Sequence, residues 1–383
     1  MNGFYEFFAG GGMVRVGLGA NWRCLFANDF DARKAAAYRA NFDGGALCVE
    51  DIRKLRACDL PGHADLAWGS FPCQDLSLAG LGAGLGGARS GTFHAFWRLI
   101  EGLAAEGRAP ALVALENVCG TLTSHGGRDF RAICARFAEG GYRLGALVID
   151  AALFIPQSRP RLFLIGVRED LAVPAALVGG PDEPFRPPAL RRSIAALPAP
   201  LREAMIDWRL EAPAPRNISL AGIVEAGAQW DASKRTGALL AMMSERHRDK
   251  LRAAGRHDGQ ALGVAFRRTR PVRGGGRAQR AEARFDGLAG CLRTPAGGSS
   301  RQTLLGVEGE TVRSRLLTPR ETARLMGLPD EYRLPARRTE AYHLTGDGVV
   351  VDVVRYLAER LFEPMLAAQT VEFARGPANM RAG

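Results

Sequence analysis

Cys73 and Glu116 each close an apolar run that stops abruptly, and both carry groups that can react. The run 64–68 ends in Gly69-Ser70-Phe71-Pro72-Cys73-Gln74-Asp75-Leu76-Ser77. Pro72 fixes its own φ and keeps Phe71 out of the helical region, so the chain must turn there. The thiol is thereby presented just beyond a strand's carboxyl end, where open α/β sheets place their ligands. Its thiolate would be a nucleophile for covalent catalysis. The run 111–115 is continuously apolar, as a central parallel strand should be. It closes on Glu116, a carboxyl group on the same face of the sheet that can give or take a proton. Arg159 and Arg161 alternate at the entrance to the run 162–167, so both side chains are expected on one face. Each residue also has an ordinary structural reading: a buried, inert thiol in a turn, or a glutamate that caps a helix or pairs with a base.

The elements that must position these groups read as an α/β unit. Phe4-Tyr5-Glu6-Phe7-Phe8 is a short strand, followed by Ala9-Gly10-Gly11-Gly12 and an amphipathic stretch from Met13. Strand, glycine turn and helix together open a nucleotide-type unit, in which backbone approaches a ligand closely. The full GxGxxG is absent. A second strand ends in Asn28-Asp29-Phe30-Asp31, and a third in Glu50-Asp51-Ile52. Acids at these strand ends suit a ribose hydroxyl. With no Walker lysine, the pattern suggests an adenosine-containing cofactor without a triphosphate. Helices are expected over 32–41, 91–106 and 129–140, and strands over 142–151 and 161–167. The glycine-rich segment 80–91 is long enough to close over a site.

After Arg168 the composition changes. Residues 174–215 are rich in Pro and Ala with little periodicity and read as linker and irregular structure. Residues 235–284 hold thirteen Arg and Lys against four Asp and Glu, and so supply +9 of the chain's net charge of +11. Basicity concentrated in this way points to phosphate contacts rather than general solubility. Gly290 to Gly298 reads as a strand and loop. Thr318-Pro319-Arg320-Glu321 opens a helix with an N-cap, a first-turn proline and a capping box, ended by Gly327. Gly346-Asp347-Gly348 is expected to open a final helix over about 347–365, whose valines need a core. No segment has the run of apolar residues a membrane span requires. Without a charged leader, the chain is expected to be soluble and intracellular. The seven cysteines are odd in number and lack CxxC spacing, which argues against a disulfide framework or a zinc site.

Taken together, the motifs resemble those of a DNA (cytosine-5)-methyltransferase of the bacterial modification type. In order along the chain they are Phe-Ala-Gly-Gly-Gly at 8–12, Pro-Cys-Gln at 72–74, Glu-Asn-Val at 116–118 and Gln-Ser-Arg-Pro-Arg at 157–161. Thr-Pro-Arg-Glu-x-Ala-Arg-Leu-Met-Gly follows at 318–327 and Gly-Asp-Gly-Val at 346–349. The resemblance implies a mostly parallel, doubly wound sheet of the S-adenosylmethionine-dependent type, with a smaller target-recognition domain. The domains expected are 1–183 for catalysis and cofactor, 184–313 for target recognition, and 314–383 returning to the first. Cys73 would add to C6 of a flipped-out cytosine, Glu116 would serve N3, Arg161 the base's O2, and Arg159 the neighbourhood of the cysteine. The cofactor would be S-adenosylmethionine, leaving S-adenosylhomocysteine. Its contacts would be Phe8, Gly10, Gly12, Asp29, Phe30, Asp51, Ile52, Pro72 and Asp347. Arg267, Arg268, Arg270, Arg273 and Arg293 would contact duplex DNA. The family usually has Asn where Asp347 stands, and Thr-Leu where Cys291-Leu292 stands.

The same resemblance implies a monomeric, cytoplasmic enzyme of bacterial or phage type with no metal, and admits a cognate restriction endonuclease. Two relatives in function compete. A tRNA-modifying branch keeps these motifs but has a small recognition region, unlike the long basic stretch here. A non-catalytic DNA-binding regulator would have lost Cys73 or Glu116, and both are present. A cysteine hydrolase lacks support, since no His near Cys73 has an orienting partner in the sequence.

Overall fold

The computed structural model describes residues 1–71, 91–180, 184–257, 259–271, 275–294 and 301–375. The chain forms two compact units. The first comprises 1–149, 160–213 and the chain from 353 onward; the second comprises 150–159 and 214–352.

The first unit is built on seven strands: β1 (Asn2–Phe7), β2 (Trp22–Asn28), β3 (Leu47–Cys48), β4 (Leu66–Gly69), β5 (Leu112–Val118), β6 (Tyr142–Asp150) and β7 (Pro160–Arg168). Their order across the sheet is β3-β2-β1-β4-β5-β7-β6. β1 to β5 run parallel, and β7 lies antiparallel to β5. From β1 the chain steps outward through β2 and β3, then returns to the other side of β1 for β4 and β5. The crevice beyond the carboxyl ends of β1 and β4 is therefore the point where strand order reverses, the place where such sheets bind ligands. The Gly10–Gly12 turn leaves β1 there, and Phe71 leaves β4.

Burial on both faces explains the apolar runs. Phe4, Tyr5 and Phe7 of β1 are all fully buried. Phe7 meets Phe96 edge-on at 5.2 Å, while Phe4 packs against Trp22 on the other face. The helices of this unit begin with α1 (Met13–Leu18), α2 (Ala32–Asn41), α3 (Thr92–Ala105) and α4 (Arg128–Glu139). As the 3.6 period predicts, Phe93, Phe96, Trp97 and Ile100 of α3 are buried in one core, where Trp97 meets Phe137 of α4 at 4.8 Å.

The segment 174–215 is not a linker. It contains α5 (Pro188–Ala195) and α6 (Ala199–Glu203). Leu190, Ile194 and Leu197 join the main core, and Trp208 is buried, with Ile206 bridged to Gly145 beside the edge strand β6. Pro and Ala around those three residues mask their helical spacing; Pro188 occupies the first turn, where a missing N–H costs nothing. Residues 184–213 consequently belong with the sheet, although none of the described residues in 185–300 adds a strand to it.

In the second unit come α7 (Ser233–Ala241), α8 (Glu245–Ala254), β8 (Ala261–Pro271), β9 (Arg277–Arg284), β10 (Thr303–Glu308) and β11 (Thr311–Leu316). The strands form an antiparallel sheet in the order β11-β10-β8-β9. Leu239, Met243 and Leu251 of the two helices pack on Ala265, Ala281, Ala283, Leu305 and Val307 of one sheet face. Gly290 to Leu292 is not a strand: the Gln302 and Gln157 side chains accept from the Gly290 and Leu292 amides at 3.2 and 2.9 Å, in place of a neighbouring backbone. The rest of that expected strand and loop, 295–298, lies outside the described residues.

The capping box at α9 (Pro319–Arg324) is formed as the sequence predicts. Thr318 Oγ1 accepts from the Glu321 amide at 3.1 Å, and Glu321 Oε2 accepts from the Thr318 amide at 2.8 Å. Glu321 is fully buried and also receives the Arg315 fork at 2.8 and 2.6 Å. Burial alone would raise its carboxyl, but the Arg315 fork and the Glu225 and Thr318 amides hold it below the usual range.

Gly346 and Asp347 close α10 (Arg338–Asp347) rather than open a helix. A Cβ at Gly346 would stand 2.5 Å from the backbone of Arg293 and Thr294, so only glycine fits. The next helix, α11 (Val351–Leu357), begins four residues later and continues through a π-helical turn at Ala358–Phe362 into α12 (Glu363–Arg375). From Val353 this run belongs to the first unit, where Phe362 lies edge-on to Trp22 and Trp68.

Candidate active and cofactor site

At the carboxyl end of β1 the backbone turns through Phe8 (φ 59), Gly10 (φ 55) and Gly12 (φ 76). These are left-handed angles that glycine adopts freely and phenylalanine rarely does. A Cβ at Gly12 would fall 2.5 Å from Phe42 and 2.9 Å from Tyr38, whereas among the described residues nothing lies within 4 Å of one at Gly10. Asp29, buried at the end of β2, holds this turn: its Oδ2 accepts from the Gly10 amide and its Oδ1 from the Asp31 amide, both at 2.8 Å. Each oxygen retains a second acceptor direction. Phe30, the next residue, is 74 % exposed, an isolated aromatic face beside a buried acid. Asn28 donates to the Cys48 and Glu50 carbonyls and so ties the end of β2 to the turn carrying Asp51. Ile52 is buried; Asp51 pairs with Arg53, which pulls its carboxyl below the usual range. Paired acceptors at Asp29, an aromatic face at Phe30 and bare backbone at Gly10 fit the ribose, adenine and amino-acid ends of S-adenosylmethionine.

The other side of the candidate site is formed by β5 and β7. Their register sets Val118 opposite Arg161 and Glu116 opposite Phe163, so Glu116 and Arg161 share a face as diagonal neighbours. Arg161 Nε lies 3.0 Å from Glu116 Oε1, and both side chains are largely buried. Arg159 does not share that face, because the strand begins only at Pro160. Its guanidinium belongs to the second unit, where it donates to the Leu292, Gly346 and Gly348 carbonyls at 2.7, 3.1 and 2.7 Å and to Cys291 Sγ at 3.4 Å. Pro72, Cys73 and the segment 80–90 lie outside the described residues.

The sequence assigns no role to Asn117, yet its side chain ties down the end of the segment that leaves β4. Asn117 Nδ2 donates to the Phe71 carbonyl at 3.2 Å, two residues before Cys73, while its Oδ1 accepts from the Val118 amide and Thr121. The position between Glu116 and Val118 in a strand is the only signal available in the sequence: its side chain must point to the opposite sheet face from Glu116.

In the second unit, β8 and β9 form a basic two-stranded ribbon. Their register puts Arg268, Arg270, Arg280, Glu282 and Arg284 on one face and Arg267 on the other, the face that packs on α7 and α8. Arg268 stacks over Phe266 at 4.8 Å, and Arg270 is paired with Glu282 at 2.5 Å. Arg293 is exposed, Asp347 is exposed at the end of α10, and Arg273 lies outside the described residues. Arg280 takes the place on the basic face that the sequence suggests for Arg267. Among the described residues no cluster of His, Cys, Asp and Glu could hold a metal ion, and no helix is long and apolar enough to cross a membrane.

Comparison with known proteins agrees with this arrangement. The chain is 27 % identical over 361 residues to the type II methyltransferase M.NlaX of Neisseria lactamica, covering 93 % of this chain and 95 % of that one. It is 26 % identical over 365 residues to M.HhaI of Haemophilus parahaemolyticus, covering 93 % and 92 %. Among solved structures, the S. pombe Dnmt2 methyltransferase superposes with a TM-score of 0.57 at 18 % identity, over 95 % of this chain and 99 % of that one. The Entamoeba histolytica methyltransferase EhMeth gives 0.57 at 12 % identity, over 95 % and 99 %. The model of the C-5 cytosine-specific DNA methylases matches residues 3–363. With its glycine turn, its acid-ended strands and its Glu116–Arg161 pair set at the carboxyl end of one sheet, the chain belongs to the C-5 cytosine-specific DNA methylase family and is a DNA (cytosine-5)-methyltransferase.

Proposed function

We propose that the protein methylates C5 of a cytosine flipped out of duplex DNA within a specific sequence, through a covalent bond between Cys73 and C6 of the base. The observation that carries this reading is the Glu116–Arg161 pair, with Asn117 of the same strand end anchoring the backbone that leads to Cys73. S-adenosylmethionine, when bound, supplies a methyl group made electrophilic by its sulfonium. Phe8, Gly10, Asp29, Phe30, Asp51 and Ile52 would hold it, and Pro72 and Asp347 are assigned to the same ligand.

In the first step the Cys73 thiolate forms the S–C6 bond, and the electron pair of the C5–C6 double bond moves into an enamine. Glu116 shares a proton with N3 as charge develops there. Arg161, held by Glu116 Oε1, would donate to the base's O2. C5 would then take the methyl group as the methyl's bond to the sulfonium sulfur breaks, leaving neutral S-adenosylhomocysteine. A solvent water would take the C5 proton, and breakage of the S–C6 bond would restore the aromatic ring and release the thiolate. A base inside the stack cannot reach these groups, so it must be extruded, at a cost of a few kcal/mol.

The long basic region supports duplex DNA as substrate, with Arg268, Arg270 and Arg280 on the free face of a ribbon of the kind a major groove admits. Bisulfite sequencing of DNA from cells expressing the protein would reveal the target. Duplexes carrying 5-fluorocytosine in that target should then trap a covalent complex, since C5 has no proton to lose. Cys73→Ser should form no such complex yet bind S-adenosylmethionine as before. An equal yield with the Ser variant, or methylation of tRNA in preference to duplex, would overturn the proposal.

A further inference from the structure

Among the described residues only Phe8 and His125 combine a side chain with a left-handed backbone. Phe8 belongs to the cofactor turn. His125 (φ 48) lies on the turns that lead from the carboxyl end of β5, the strand that presents Glu116, and is followed by Gly126 (φ 70) and Gly127 (φ 84). A side chain held at such an angle is worth a functional question.

His125 Nδ1 lies 2.8 Å from Asp129 Oδ2, with Ser124 Oγ at 3.3 Å from the same nitrogen. Asp129 is 1 % exposed, and its other oxygen, Oδ1, has no hydrogen-bond partner among the described residues. A buried carboxylate bonded so sparsely calls for a countercharge in contact with it, and the imidazole is the group in contact. The carboxylate also fixes the ring: Nδ1–H points inward, which leaves Nε2 as the outward nitrogen. The ring itself is exposed. In its protonated form it offers one N–H to an external acceptor, backed by a buried negative charge.

The surroundings favour an anion as that acceptor. Arg128 is exposed and its Nε donates to the His125 carbonyl at 2.9 Å; Arg131 is exposed one turn further along α4. The elements packed here carry further titratable or charged groups: Cys119 on the preceding turn, Cys134, Arg136 and Glu139 of α4, Arg161 and Arg168 of β7, Arg191 and Arg192 of α5, and Arg202 and Glu203 of α6. No glutamate or aspartate other than the buried one lies on the turns 119–127 or the first turn of α4.

We infer that His125 binds a backbone phosphate of the DNA substrate, with Asp129 as the buried residue that orients and charges it. The inference rests on the chain's substrate being DNA and does not depend on the covalent mechanism, so the two can fail separately. Phosphate contacts of this kind set register without reading sequence.

The test uses the whole chain and a labelled duplex of arbitrary sequence, titrated over a range of salt. His125→Asn keeps a residue that tolerates left-handed backbone but removes the cation. It is expected to lower thermal stability, because the buried Asp129 loses its countercharge, but to leave S-adenosylmethionine affinity unchanged, to weaken duplex binding about three- to tenfold at low salt, and to lower the salt slope by about 0.9, one phosphate's worth. His125→Lys should restore the slope. An unchanged slope in the Asn variant would overturn the inference. So would a Lys variant as weak as the Asn one, or a joint loss of stability and cofactor affinity, which would make the dyad a purely structural tie.

Discussion

Replacing Glu6 by Gln tests whether a buried acid under the glycine turn is neutral in the folded protein. Glu6 sits on β1 between Ala27 of β2 and Trp68 of β4, and among the described residues neither carboxylate oxygen has a partner at hydrogen-bonding geometry. Burial pushes its carboxyl up to about 8, against the weaker opposing pull of the Val14 amide and Arg15, while Asp29 adds to the rise. Because the folded value lies above the unfolded one of 4.5, the folded state binds the extra proton between them. The contribution to stability is therefore complete below pH 4.5 and is lost as pH climbs through about 8. Between about pH 5 and about pH 7 this loss comes to about 2.5 kcal/mol at most. Gln has the shape of the neutral acid and does not titrate. Glu6→Gln should thus gain on the wild type by up to that amount over the same interval. Paired urea titrations at a series of pH values, read as midpoint shifts at constant slope, measure the difference directly. A difference that stays flat from about pH 5 to about pH 8 would refute the reasoning, because the carboxylate would then be ionised and satisfied in the fold.

Three further expectations concern the second unit. Replacing Arg268, Arg270 and Arg280 together by Ala should lower the salt slope of duplex binding by about 0.9 for each phosphate left without its arginine, while Arg267→Ala, on the helix-packed face, should change it little. Arg315→Met should strand the buried Glu321 carboxylate and cost about 3–5 kcal/mol in urea unfolding, much of it recovered by Glu321→Leu in the same chain. Asp347→Asn should weaken S-adenosylmethionine binding more than S-adenosylhomocysteine binding if the carboxylate faces the sulfonium; a variant that binds both ligands as the wild type does would remove Asp347 from the cofactor site.

What can be read from the sequence is what local chemistry dictates. The glycine turn after β1, the acids at the ends of β2 and β5, and the Thr318–Glu321 capping box each depend on residues a few positions apart. Partnerships over long separations cannot be read. Nothing near Arg159 announces that its guanidinium will be taken up by carbonyls of Leu292, Gly346 and Gly348. Nothing local distinguishes Arg267 from Arg268 until the pairing of β8 with β9 decides which face each occupies. The helix at Pro188–Ala195 is hidden for a different reason: Pro and Ala dominate its neighbourhood, and its apolar stripe is only three residues long.

The ten residues 150–159 lie between β6 and β7 of the sheet yet belong to the second unit. Gln157 uses both ends of its amide there, donating to the Leu325 carbonyl at 2.5 Å and accepting from the Leu292 amide, and the Ser158 amide donates to the Ala289 carbonyl. An excised fragment 214–352 would lack these donors and leave several carbonyls of its own interior bare. The same holds for chimaeras that exchange specificity between relatives by swapping that stretch. The donor's 150–159 must travel with it, or the transplanted segment loses the strap around which it folds.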